Sequence, residues 1–169
     1  VEYLKENKNL NQLIIPSKKN KFKFEKFILI LSYRIHPILP FVDKLSHYKD
    51  IFDLLKETKI NIVYIKPHPA ESIQEIKRIL TFINLGKIEV KITLENIKII
   101  SNYSLLTIGL ITGGALIPYF EKKNFIIFYK YINKYIDYHE VMDDFEPKKS
   151  GIKICKNKNE LRMVMNNLK

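Results

Sequence analysis

The segment Lys66-Pro67-His68-Pro69-Ala70-Glu71 brings a cation, an imidazole and two prolines into six residues. Proline fixes φ, so a loop of this kind presents His68 at small ordering cost on binding. An imidazole held there can donate a hydrogen bond to a phosphate oxygen, with help from the positive end of a following helix. The same residues also suit a plain strand-to-helix connection with a surface histidine. A second element, Thr112-Gly113-Gly114-Ala115, sets small residues at another strand-to-helix turn. A ligand can approach such a backbone closely, free N–H groups at the helix start can bind an anion, and Thr112 adds a hydroxyl. The Gly-Lys-Ser/Thr ending of a nucleoside-triphosphate P-loop is absent, and the dinucleotide fingerprint is not matched. A tight packing turn is the alternative role for these glycines.

Other titratable groups have less to offer. His36-Pro37 is a second histidine–proline pair with Arg34 nearby, but Ile38, Leu39 and Phe41 fit a packing loop equally well. Asp43 is placed to cap the next helix, and Asp50 and Asp53 read as solvated or capping groups. His47 and His139 lack partners at metal-ligand spacing, so no metal is expected. The single Cys155 excludes an intramolecular disulfide framework and a cysteine-based zinc cage. Tyr129 to Tyr138, interleaved with Lys130 and Lys134, could stack on bases, yet core and rim positions explain its aromatics more simply.

The elements that must position these groups alternate regularly. Strands are predicted over Phe27–Tyr33, Ile60–Ile65, Lys87–Ile92, Leu105–Ile111 and Phe125–Tyr129, with a weak strand at Ile152–Ile154. Helices are predicted over Asp43–Lys59, Glu71–Leu85, from Thr93 as N-cap towards Ser101, from Ala115 or Leu116 to Lys122, and over Asn159–Leu168. Strand and helix in turn imply right-handed βαβ units, hence an α/β, Rossmann-like parallel sheet with helices on both faces. In such folds the ligand lies outside the carboxyl ends of the strands, which brings Arg34–Pro40, Lys66–Ala70, Ile92–Glu95 and Thr112–Ala115 to one edge. Residues 1–25 read as a lead-in and linker, and residues 26–169 as one Rossmann-like domain.

The bulk composition limits the classes open to this chain. Its 169 residues, 46% apolar and 28% charged, describe one ordinary folded domain and not a disordered chain. No apolar run approaches the roughly 20 residues that cross a bilayer, and no signal peptide opens the chain. The net charge of +11 attracts polyanions, acidic lipid headgroups and phosphorylated ligands without choosing among them, because lysine is spread along the whole chain. A basic anion- or membrane-binding module without catalysis is therefore a second class of function. No nucleic-acid fold signature accompanies the charge, and no nucleic-acid partner is expected.

Ile62-Val63-Tyr64-Ile65-Lys66-Pro67-His68-Pro69-Ala70-Glu71 resembles the histidine–proline motif of bacterial GT-B sialyltransferases and polysialyltransferases, in the form found in glycosyltransferase family 52. Ile92-Thr93-Leu94-Glu95 is similar to the short Glu-containing element after the next strand in those enzymes. Ile108 to Ala115 falls where the family has a Ser/Thr-rich turn near the donor phosphate. The resemblance covers Phe27 to about Phe128. It implies a CMP-sugar donor, usually CMP-sialic acid, and no cofactor or obligatory metal. On this basis His68 would hydrogen-bond the CMP phosphate and stabilise the leaving group. Lys66, Pro67, Thr112, Gly113, Gly114 and Ala115 would surround that phosphate, and Glu95 would contact the ribose or base; the general base that an inverting transfer needs is assigned to Asp43, from its place in the first strand-to-helix connection. The family's two-domain architecture implies that this chain is the C-terminal, donor-binding half, lacking an N-terminal acceptor domain. The implied partners are a glycan or glycolipid acceptor, such as lipooligosaccharide or capsule, and a second copy in a homodimer. The implied location is the cytoplasm, with peripheral contact at the inner face of the bacterial membrane. A capsule- or teichoic-acid-type transferase using CDP-glycerol or a UDP-sugar is the alternative within the same fold.

Overall fold

Long β-branched and aromatic runs buried on both sides dictate a sheet covered on two faces, and a computed structural model of the chain shows one. It describes residues 14–15 (backbone only), 22, 25–35, 37, 40–109, 124–128, 130 and 153–168. The strands are Ile14–Ile15 (β1), Phe27–Leu31 (β2), Ile62–Lys66 (β3), Glu89–Thr93 (β4), Leu106–Gly109 (β5), Phe125–Phe128 (β6) and Lys153–Cys155 (β7). The helices are Phe41–Leu55 (α1), Ile73–Leu80 (α2), Ile97–Ser101 (α3) and Lys158–Asn166 (α4). Among the described residues, seven strands form one open sheet in the order β1-β4-β3-β2-β5-β6-β7, and every pairing is parallel. The expected α/β, Rossmann-like class is therefore the observed one. Two residues of the lead-in, Ile14 and Ile15, pair with Ile92 and Thr93 as an edge strand.

The crossovers through α1 and α2 step from β2 towards β4, whereas the crossover through α3 returns past β2 to β5. Right-handed connections then require α1 and α2 on one face and α3 on the other. The packing agrees. Ile28, Ile30, Val63, Ile65, Val90 and Ile108 share one core cluster with residues of α1, α2 and α4. The alternate residues Phe27 and Tyr64 face the other way and meet the ring of Phe22, which stacks on Tyr103 just beyond α3. Tyr64 Oη donates to Glu25 (2.6 Å), and Lys91 pairs with the same carboxylate at 3.1 Å. Among the described residues no helix is long and apolar enough to cross a membrane.

Several helix ends differ from the sequence expectation, each for a local reason. α1 begins at Phe41 with Pro40 at its N-cap, so Asp43 is the third helical residue and not the cap. Thr93 completes β4 and accepts the Glu95 N–H in a turn (3.1 Å), leaving Asn96 to cap α3 by accepting from Lys98 N–H. Ser72 caps α2, which ends at Leu80 and not at Leu85. Beyond Leu80 the Phe82 and Ile83 amides donate to Ile79 and Leu80, three residues back, which tightens and stops the helix. Gly86 then takes φ +57, a left-handed conformation that suits glycine. At α4, Asn157 accepts from Glu160 N–H while the Glu160 carboxylate accepts from Lys156 N–H and the Asn157 amide, a reciprocal cap.

Candidate functional site

Because all strands run the same way, the segments after β2, β3, β4 and β5 leave the sheet at one edge. Chain order reverses between β2 and β5, with α1 and α3 on opposite faces there, so the carboxyl ends of these two strands form the topological switch point. His68 follows β3 and the chain beyond Gly109 follows β5. The sheet thus brings His68 and the carboxyl end of β5 to the edge on either side of β2. Thr112, Gly113, Gly114 and Ala115 lie outside the described residues, as do His36, His139 and Tyr138.

Lys66 closes β3, half-buried, with Nζ donating to the Leu94 carbonyl oxygen at 3.4 Å. Burial pulls its pKa below the usual lysine value, against the opposing charge of Glu95. Glu95 accepts from Asn96 N–H through Oε1 (2.9 Å), while its Oε2 is buried without a hydrogen-bond partner among the described residues. The edge of β3 and β4 therefore holds a half-buried cation beside a carboxylate, one oxygen of which is buried. Sequence reasoning placed both residues here.

His68 is fixed more firmly. Pro67 before it is buried, and Glu71 closes the loop twice: its N–H donates to the His68 carbonyl (2.9 Å), and its Oε2 accepts from the His68 N–H (3.0 Å). His68 Nδ1 accepts from Ala70 N–H at 3.1 Å. An acceptor nitrogen cannot carry the proton of a neutral imidazole, so that proton sits on Nε2. The ring is thus set as an Nε2–H donor, with no competing hydrogen bond at Nε2 among the described residues.

Beneath this loop lies a buried polar network that sequence reasoning missed. Glu71 Oε1 accepts from Ser32 Oγ at 2.8 Å and from Lys44 Nζ, and Tyr48 Oη donates to Ser32 Oγ at 2.8 Å. Lys44 and Glu71 have fully buried side chains, and Lys44 Nζ also donates to Glu75 Oε1 at 2.6 Å. Glu75 Oε1 accepts from Ile35 N–H (3.3 Å), tying the loop after β2 to α2. Burial pushes the Glu71 carboxyl above its usual range, while Lys44 pulls it back. One signal was present: Lys44 stands four residues before Tyr48, seven before Ile51 and eleven before Leu55, on the apolar stripe of α1. The network also alters the anion argument. The positive end of α2 faces two of the protein's own carboxylates, so the help expected from that helix end is already taken up.

Asp43 stands in the first turn of α1 at this edge, only 6% exposed. His47, one turn on, is buried and packs edge-to-face against Phe128 and Tyr33. Burial, then the charge of Lys130, lower its pKa to about 4, against Asp43 and Asp50. A cavity of about 10 Å³ beside it is lined by Leu31, Tyr33, His47, Tyr48, Ile108 and Gly109. That is room for one water, so a nucleotide at this edge must rest on the loops outside the core. Asp50 and Asp53 are tied and not simply solvated: Lys130 reaches Asp50 at 2.8 Å and Lys158 reaches Asp53 at 3.0 Å. Lys158, which also lies 3.7 Å from Asp50, fastens α4 to α1, and Arg162 pairs with Glu57 in the turn just after α1. Lys130 also donates to Ser46 Oγ, while the aromatic residues on either side of it lie outside the described residues. Among the described residues no group of three or more His, Cys, Asp or Glu could hold a metal ion.

No protein-family model matches the chain, and a search of curated proteins gave no significant match.

Proposed function

We propose that the chain is the donor-binding half of a glycosyltransferase that uses a nucleotide-activated sugar, with a CMP-sugar as the donor. The observation that carries this reading is the His68 loop: a braced imidazole set as an Nε2–H donor, at the carboxyl edge of an open parallel sheet. In an inverting transfer the acceptor oxygen bonds to the anomeric carbon, the bond from that carbon to the phosphate oxygen breaks, and the nucleotide leaves with the electron pair. Charge then grows on the phosphate oxygen, where a preorganised donor is worth most. Lys66, two residues before that donor, adds positive charge at the same edge; Glu95 enters as a ribose or base contact by sequence resemblance alone. Thr112 to Ala115 enter by sequence resemblance alone.

The acceptor hydroxyl's proton needs a base within hydrogen-bond reach. Asp43 was the sequence candidate, but its near-complete burial separates it from an acceptor, and the proposal assigns it no proton transfer. The basic chain would be drawn to acidic headgroups at the cytoplasmic membrane face, where glycolipid acceptors lie.

Thermal-shift titration with CMP, CDP, UDP and UMP tests this reading, since the preferred nucleotide raises the melting temperature most. CMP should lead the series, and His68→Ala should abolish the shift. A preference for UDP would move the donor to the UDP-sugar class. No stabilisation by any nucleotide at millimolar concentration, together with salt-sensitive vesicle or DNA binding unaffected by His68→Ala, would replace the transferase with a basic binding module.

A further inference from the structure

We infer that Glu71 is a positioning residue, whose buried carboxylate locks the loop of His68 to the end of β2 and the first turn of α1 and so sets the imidazole as an Nε2–H donor. The inference deepens the functional reading above and rests on it for its purpose, though not for its geometry. One carboxylate serves three elements. Oε1 takes Ser32 Oγ at 2.8 Å and Lys44 Nζ; Oε2 takes the His68 N–H at 3.0 Å. The main-chain bond from Glu71 N–H to the His68 carbonyl closes the same turn at 2.9 Å. Inside that turn the Ala70 N–H meets His68 Nδ1, the contact that fixes the tautomer. Release of Oε2 therefore loosens the turn in which that contact is made.

The groups around the carboxylate explain why an acid is needed. Ser32, Lys44 and the His68 amide are all donors towards it, and only a carboxylate accepts on both oxygens at once. Glutamine has the same shape but one acceptor. With its oxygen towards the amide of His68, its NH₂ group must face the Lys44 ammonium; turned round, it must face the His68 N–H. Hydrogen bonds to charged groups are the stronger kind, and a buried donor left without its acceptor bears the full desolvation cost. Lys44 also pairs with Glu75, so the ammonium stays in place when Glu71 changes.

The test compares wild type, Glu71→Gln and the double variant Glu71→Gln/Lys44→Met by ¹⁵N NMR of the His68 ring and by amide exchange at His68 and Ala70, with no nucleotide added. In Glu71→Gln the His68 ring should lose its single tautomer, and the two amides should exchange about tenfold faster or more. Replacing Lys44 as well removes the opposing ammonium, so glutamine can accept from His68 N–H and donate to Ser32. Tautomer and protection should then return most of the way to wild type. Unfolding of the single variant would leave the double variant to decide: a mixed tautomer there, in a folded protein, overturns the inference. So does an unchanged tautomer with unchanged exchange in a folded Glu71→Gln. CMP titration of the same samples separates the two levels. Wild type that shows the tautomer and exchange pattern but binds no nucleotide sinks the functional reading and leaves Glu71 as the brace; nucleotide binding with a tautomer indifferent to Glu71 does the reverse.

Discussion

Replacing His47 with glutamine should flatten the acid limb of the stability profile by an amount the structure sets. The imidazole is 1% exposed, and burial is the first cause of a pKa lowered from 6.5 to about 4. As pH falls, the unfolded chain takes up this proton first. A histidine held neutral therefore contributes stability that is full above the unfolded value and lost as pH falls from 6.5 towards 4. At about 1.36 kcal/mol per pH unit, the loss between about pH 7 and about pH 4.5 is ~2 kcal/mol from this residue. Glutamine cannot titrate, and its amide can still meet the Tyr33 hydroxyl. Urea denaturation of both proteins at the two pH values reads the difference directly, because other titrating groups act on both alike. A difference near zero would mean that His47 is hydrated or paired as a cation in the fold, and the burial argument would fail.

Lys44→Met should cost about 3–5 kcal/mol, since it leaves the carboxylates of Glu71 and Glu75 without their shared counter-charge. In a urea-denaturation cycle with Glu71→Gln the double variant should be more stable than the sum of the two losses predicts; strict additivity would mean that the two side chains do not couple. Gly86→Ala should cost about 1–2 kcal/mol, from left-handed backbone alone, because an added Cβ meets no atom within 4 Å; a thermal melt with no change would refute that conformation. Asn157→Ala should cost about 1 kcal/mol by removing the cap of α4, with a matching rise in amide exchange at Glu160.

The parallel sheet and the edge on which chemistry must lie were open to reading because both follow from period and alternation, whereas the order of the strands was not. Five consecutive buried residues in Phe27–Leu31 announce a central parallel strand, and the strand–helix rhythm does the rest. Cap positions were less legible. Thr93 and Asn96 are both good caps, and the strand pairing of Thr93 with Ile15 decides between them only in three dimensions. The Lys44–Glu71 brace was hidden for another reason. Its members lie 27 residues apart, and nothing local distinguishes a glutamate that caps a helix from one buried against a lysine of another element. What betrays it is a charged residue in step with an apolar stripe. Asp50 and Asp53 illustrate the converse, acids that look solvated until Lys130 and Lys158 are brought against them in the fold.

The most direct test is CMP titration of the whole chain, followed at the His68 ring nitrogens by NMR. Saturable movement of the Nε2 signal, with Nδ1 still unprotonated and the response absent in Lys66→Ala/Glu95→Ala, is the outcome expected of a phosphate held by an Nε2–H donor. A ring that stays silent at millimolar CMP, in a folded protein with the loop intact, would contradict it.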